Sequence, residues 1–70
     1  MIPLTMAAIG ETVTIRKITG KDEVRQHLAE LGFVAGQEVT VVSSLNGNLI
    51  INVKGSRIAL DETMARRVML

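Results

Sequence analysis

The stretch Leu28-Ala-Glu-Leu-Gly-Phe-Val-Ala-Gly36 limits what this chain can fold into more than any other. It follows a run in which Val24, His27, Leu28 and Leu31 recur at i, i+3, i+4 and i+7, the spacing that puts apolar side chains on one face of a helix. Gly20-Lys21-Asp22-Glu23 opens that helix, with Asp22 as the capping residue and both acids at the positive end of the helix dipole. Lys21, Arg25 and Glu30 fall on the solvent side. If Leu31 is the C-cap, Gly32 occupies C′, where a left-handed backbone costs a residue without Cβ almost nothing. Phe33 then lies at C″ and Leu28 at C3, the pair that makes the apolar contact of a Schellman motif. Val34-Ala35-Gly36-Gln37 places glycine third, as a type II turn requires. Two consecutive turns therefore stop a short helix and send the chain directly into a strand.

That strand reads Glu38 to Ser43, with Val39 and Val41 on one face. Leu45-Asn46-Gly47-Asn48 holds the Asn-Gly pair of a type I′ hairpin, and the chain returns as Leu49 to Val53. Lys54-Gly55-Ser56 turns it again into Arg57-Ile58-Ala59-Leu60, giving an antiparallel meander of three strands. Ahead of the helix, Thr12 to Arg16 alternates, with Val13 and Ile15 on one face and Ile18 out of step, as a half-buried strand with a bulge would. Met1 to Gly10 is apolar without clear period and reads as a lead-in loop or a single helical turn. Asp61 to Arg67 begins with a capping acid and ends with two cations, the pattern of a short helical turn. Val68 to Leu70 belongs beside the first strand, where it leaves fewer open edges. The expected architecture is mainly β: a small, partly open SH3-like barrel of about five strands, with one inserted helix and a short helical turn before the last strand. A chain of 70 residues buries only about 60% of its unfolded surface, so residues 1–70 form a single domain.

Composition removes several functions. Cysteine is absent, which excludes a disulfide framework, a thiolate metal site and a Cys nucleophile. Phe33 is the only aromatic residue, so neither an aromatic groove for polyproline peptides nor a stacking platform for single-stranded nucleic acid can be built. The net charge of +1 supplies no strong field toward nucleic acid or acidic membrane. No stretch approaches the roughly 18 consecutive apolar residues of a membrane span, and the start lacks the basic region of a signal peptide. The reading is a soluble, cytoplasmic protein without direct membrane insertion.

His27 is the only histidine, with Glu23 one helical turn before it and Glu30 nearly one turn after. Flanking carboxylates and an imidazole can hold iron(II), but with no second His and no Cys the simpler reading is a ring at the edge of the core stripe. Glu11, Asp22, Glu23, Glu30, Glu38, Asp61 and Glu62 are dispersed over loops and element ends, and Ser43, Ser44 and Ser56 have no His near them in sequence, which argues against catalysis. The glycines are turn glycines, because no Gly-rich run with Lys-Ser or Lys-Thr leads into a helix. Arg16, Lys17, Lys54, Arg57, Arg66 and Arg67 read as a solvated face. The apolar excess points instead to contacts: Val42 and Ile50 have the opposite parity to Val41 and Ile51, Leu45 sits near a hairpin tip, and Met64, Met69 and Leu70 add flexible apolar surface.

Pro3-Leu4, Gly10-Glu11, Leu28-x-x-Leu31-Gly32-Phe33, Gly36-x-x-Val39-x-Val41-Val42, Gly47-Asn48-Leu49, Asn52-Val53-x-Gly55, Ile58-Ala59-Leu60 and Ala65, in this order and spacing, resemble the FeoA family of ferrous iron transport proteins. The resemblance implies a cytoplasmic SH3-like domain that works with FeoB, a membrane GTPase and iron permease, and implies neither catalysis nor a cofactor nor a family-wide metal site. The chain departs from the family pattern in its short Leu45 to Asn48 hairpin and in Asp61, where Arg or Lys is common. A related SH3-like domain forms the C-terminus of iron-dependent repressors. The expected contact surface is the inserted helix and its exit corner, Arg25, Gln26, Glu30 and Phe33, together with the hairpin tip at Leu45, Asn46 and Asn48. Two alternatives stand beside this reading: an SH3-like nucleic-acid or regulatory module, and a weak ferrous-iron binder. A weak homo-oligomer is compatible with all three.

Overall fold

The computed structural model describes residues 1–70. In chain order it contains a 3₁₀ turn at Leu4–Met6, then β1 (Thr12–Thr14), β2 (Lys17–Ile18), α1 (Asp22–Glu30), β3 (Glu38–Leu45), β4 (Asn48–Val53), β5 (Ser56–Leu60), α2 (Glu62–Ala65) and β6 (Val68–Met69). A four-stranded antiparallel sheet runs in the order β1-β3-β4-β5, and β2 pairs with β6 in a separate two-stranded ribbon. The strands do not close into a full barrel, and the architecture is the mainly β, SH3-like one anticipated from the turns. No helix is long and apolar enough to cross a membrane.

The helix exit forms as its sequence requires. The Gly32 N–H donates to the Ala29 carbonyl at 3.0 Å and the Phe33 N–H to the Leu28 carbonyl at 2.9 Å, the two bonds of a Schellman motif, with Gly32 at φ 104°. The following turn closes through Gln37 N–H to the Val34 carbonyl at 3.1 Å, with Gly36 at φ 91°. At the other end of α1 the expectation fails. Lys21, not Asp22, is the N-cap residue and makes no side-chain capping bond. Asp22 is the first helical residue and pairs with Arg25 one turn later, so its carboxylate serves the dipole and an ion pair rather than the cap.

The expected strand from Thr12 to Arg16 is interrupted. Ile15 is buried and still bonds toward β3, through its N–H to the Gln37 carbonyl at 2.9 Å, but Arg16 turns its N–H to the Met69 carbonyl at 2.8 Å. The chain thus leaves one sheet for the other within a single residue, the corner by which small β folds wrap around a core. Val68 to Leu70 accordingly lies beside β2 rather than β1, and the N-terminal segment continues the ribbon through a Pro3–Met69 bridge and a bond from Leu70 N–H to the Ile2 carbonyl.

Two tight hairpins build the meander. Asn46 (φ 53°) and Gly47 (φ 84°) both have positive φ, as the type I′ turn demands, and Lys54 (φ 52°) with Gly55 (φ 81°) repeats the device. A bulge between Val41 and Ser43 shifts the β3–β4 register, so Ile50 pairs with Ser43. Twelve buried residues from every layer, Leu4, Ile15, Leu28, Phe33 and the inward residues of β3 and β4 among them, form one apolar cluster. Phe33 is the largest and is fully buried, so it belongs to the core and is withdrawn from the contact surface assigned to it above. The Asp61 carboxylate caps α2 by accepting the Met64 N–H at 2.9 Å, as expected of the acid at that position.

Candidate partner-binding surfaces

The outer face of α1 presents Arg25, Gln26 and Glu30 to solvent, since Leu28 is buried in the core and Val24 and Leu31 pack against it. Its one ion pair, Arg25 with Asp22, is the only salt bridge in the molecule and is exposed, which limits it to a fraction of a kcal/mol, about 0.2–1. His27 is exposed on the same helix, and no three His, Asp or Glu side chains converge anywhere to hold a metal.

The hairpin tip lies elsewhere. Leu45 is 73% exposed at the end of β3, on a turn whose backbone geometry is fixed by Asn46-Gly47. Asn48 has a structural duty: its Oδ1 accepts the Glu62 N–H at 3.0 Å, tying the hairpin to the first turn of α2. The exit corner of α1 adjoins the opposite end of β3, with Gly32 packed near Val53. At about 3.3 Å per residue, the eight residues of β3 separate that corner from the tip by on the order of 20 Å. The fold therefore presents the expected contact residues as two separate patches.

A third surface escaped the sequence reading. A groove of about 350 Å³ opens between the N-terminal segment, β1 and Leu70, lined by Met1, Ile2, Met6, Ala7, Val13 and Leu70 together with the charged Glu11 and Arg16. Met1, Ile2, Met6 and Ile9 account for four of the six large exposed apolar residues, and all precede β1. Their signal was present in the sequence as a lead-in segment far more apolar than a connector needs, of which the core takes in only Leu4 fully. Val42, Ile50, Met64, Met69 and Leu70, to which the apolar excess had pointed, are all half-buried.

The FeoA domain family matches residues 2–70. A curated relative from Methanocaldococcus jannaschii, named "Putative Fe(2+) transport protein A", is 36% identical over 70 residues, spanning 100% of this chain and 85% of the relative. Among solved structures, a crystal structure of an iron uptake regulatory protein (FeoA) superposes with a TM-score of 0.87 at 33% identity, covering 96% of this chain and 89% of that one. The zinc complex of Stenotrophomonas maltophilia FeoA, described as a prokaryotic SH3 domain protein, gives 0.85 at 27% identity over 99% and 88% of the two chains.

Proposed function

The chain belongs to the FeoA family, and on that premise we propose that it is a non-enzymatic cytoplasmic accessory protein of ferrous iron uptake that binds and modulates the membrane permease FeoB. The observation that carries the proposal is the family match along the whole domain, from residue 2 to residue 70. The surface chemistry supports it. Titratable groups are dispersed, with one exposed ion pair and no converging set of metal ligands, whereas large apolar side chains stand in solvent at defined places. A surface of that kind is suited to binding another protein.

Within this reading Leu45 is the apolar anchor for FeoB, held out on a rigid two-residue turn, and Arg25, Gln26 and Glu30 form a second, polar contact. The test is co-purification with the cognate FeoB, as its isolated cytoplasmic domain and as the full membrane protein. Capture by either supports the proposal, and capture by neither overturns it.

A further inference from the structure

We propose that the free edge of β1 is a self-association surface, on which two copies of this chain pair antiparallel about a two-fold axis at Val13 and join their grooves. This goes beyond the FeoB reading and does not depend on it.

The first argument is which backbone groups are free. In the β1–β3 pairing, the Ile15 N–H donates to the Gln37 carbonyl and the Val41 N–H to the Glu11 carbonyl. Antiparallel ladders alternate bonded and non-bonded residues, so Glu11, Val13 and Ile15 point their backbone groups at β3 and Thr12 and Thr14 point theirs away. The Thr12 and Thr40 hydroxyls, 2.9 Å apart, confirm the assignment, because side chains approach closest in a non-bonded pair. β1 is the last strand of its sheet, and Thr12 and Thr14 are exposed. Two groove-lining residues, Glu11 and Val13, lie in or beside β1 and none lies in β3, which places the groove along this free edge.

The second argument is that the edge is complementary to itself. Two outward residues either side of Val13 allow Thr12 of one copy to face Thr14 of the other, twice, each pair exchanging two hydrogen bonds. The same register sets Val13 against Val13 over the merged grooves. Glu11 of one copy then falls opposite Ile15 of the other, beside Arg16, and the symmetric pair repeats this. In the single chain neither Glu11 nor Arg16 has an ionic partner, although both line the groove. β1 itself carries none of the usual guards of an edge strand, having no Pro, no charged residue and no bulge, whereas the opposite edge strand, β5, carries Arg57. A three-residue pairing with a small groove falls short of the roughly 800 Å² per partner of a standard interface, so the association is a weak, dynamic equilibrium.

Sedimentation equilibrium from micromolar to millimolar chain tests this. The weight-average mass is expected to rise from 7.6 kDa toward twice that value. Thr14→Pro removes an outward N–H that the fold leaves unbonded, so it should stay folded by circular dichroism and remain monomeric. Arg16→Glu should weaken association roughly tenfold by setting like charges together twice, and the exchange Glu11→Arg with Arg16→Glu should restore it. A chain that is monomeric at every concentration overturns the proposal and leaves the groove to a different occupant. A dimer indifferent to both Thr14→Pro and Arg16→Glu overturns it as well, by placing the contact on another surface.

Discussion

Phe33 donates its backbone N–H to the carbonyl of Leu28 at 2.9 Å, and the side chains of both residues are fully buried. One hydrogen bond and one apolar contact thus fix the direction in which the chain leaves α1. The six residues from Leu28 to Phe33 end the helix, place the only aromatic ring in the core, and aim the backbone at β3. Because Gly32 between them holds φ 104°, the corner depends on backbone freedom as much as on packing.

Gly32→Ala is expected to destabilise the domain by about 1–2 kcal/mol, the cost of a left-handed backbone in a residue with a Cβ. Space is not the obstacle, since a Cβ there would meet Val53 at an ordinary 3.5 Å. Urea denaturation should show a lower midpoint with an unchanged m-value. An unchanged midpoint would show that the corner tolerates the substitution and that the Schellman geometry is not needed.

Phe33→Ala should cost about 3–5 kcal/mol, as large-to-small changes in a packed core do. For 70 residues the whole stability is on the order of 4–10 kcal/mol, so this variant loses much or all of its fold. Thermal unfolding by circular dichroism reads the effect directly. A well-folded Phe33→Ala that merely loses a binding partner would return Phe33 to the surface role suggested by its sequence context.

The contrast between these residues shows what the sequence makes legible. Glycine at C′, glycine third in Val34–Gln37 and the Asn46-Gly47 pair each specify local backbone conformation with their own chemistry, and all three turns stand where those residues put them. The break after Ile15 is different, because it exists only once β6 has returned to accept the Arg16 N–H, a partner more than fifty residues away. Asp22 resembles a cap in sequence, but the N-cap position falls one residue earlier, on Lys21. For the site, exposure of Arg25, Gln26 and Leu45 followed from helix periodicity and turn position. The groove did not, since it is assembled from the N-terminal segment, β1 and Leu70, which meet only in the folded chain.

Lys54 holds φ 52° without the local hydrogen-bonding side chain that helps Asn adopt this region. Lys54→Asn is therefore expected to stabilise the second hairpin by about 0.5–1 kcal/mol and raise the melting temperature by several degrees. Differential scanning calorimetry measures the shift. A lower melting temperature would mean that the lysine makes a compensating contribution elsewhere.

Asp61→Ala removes the carboxylate that accepts the Met64 N–H, and Asn48→Ala removes the amide oxygen that accepts the Glu62 N–H. Each is expected to cost about 1 kcal/mol, the ordinary worth of a helix N-cap. Because the two bonds hold N–H groups two residues apart in the single turn of the same four-residue helix, the double variant should depart from additivity in urea denaturation. Strict additivity would show that the hairpin and α2 respond independently.

We propose that this small domain acts by binding FeoB through side chains the fold leaves in solvent. Calorimetric titration of the chain into nanodisc-embedded cognate FeoB, with wild type and Leu45→Asp compared side by side, tests it most directly. Saturable binding by the wild type, with affinity at least roughly tenfold weaker for a Leu45→Asp variant that remains folded, is the predicted result. No heat with wild-type chain under conditions where FeoB itself is active would contradict the account.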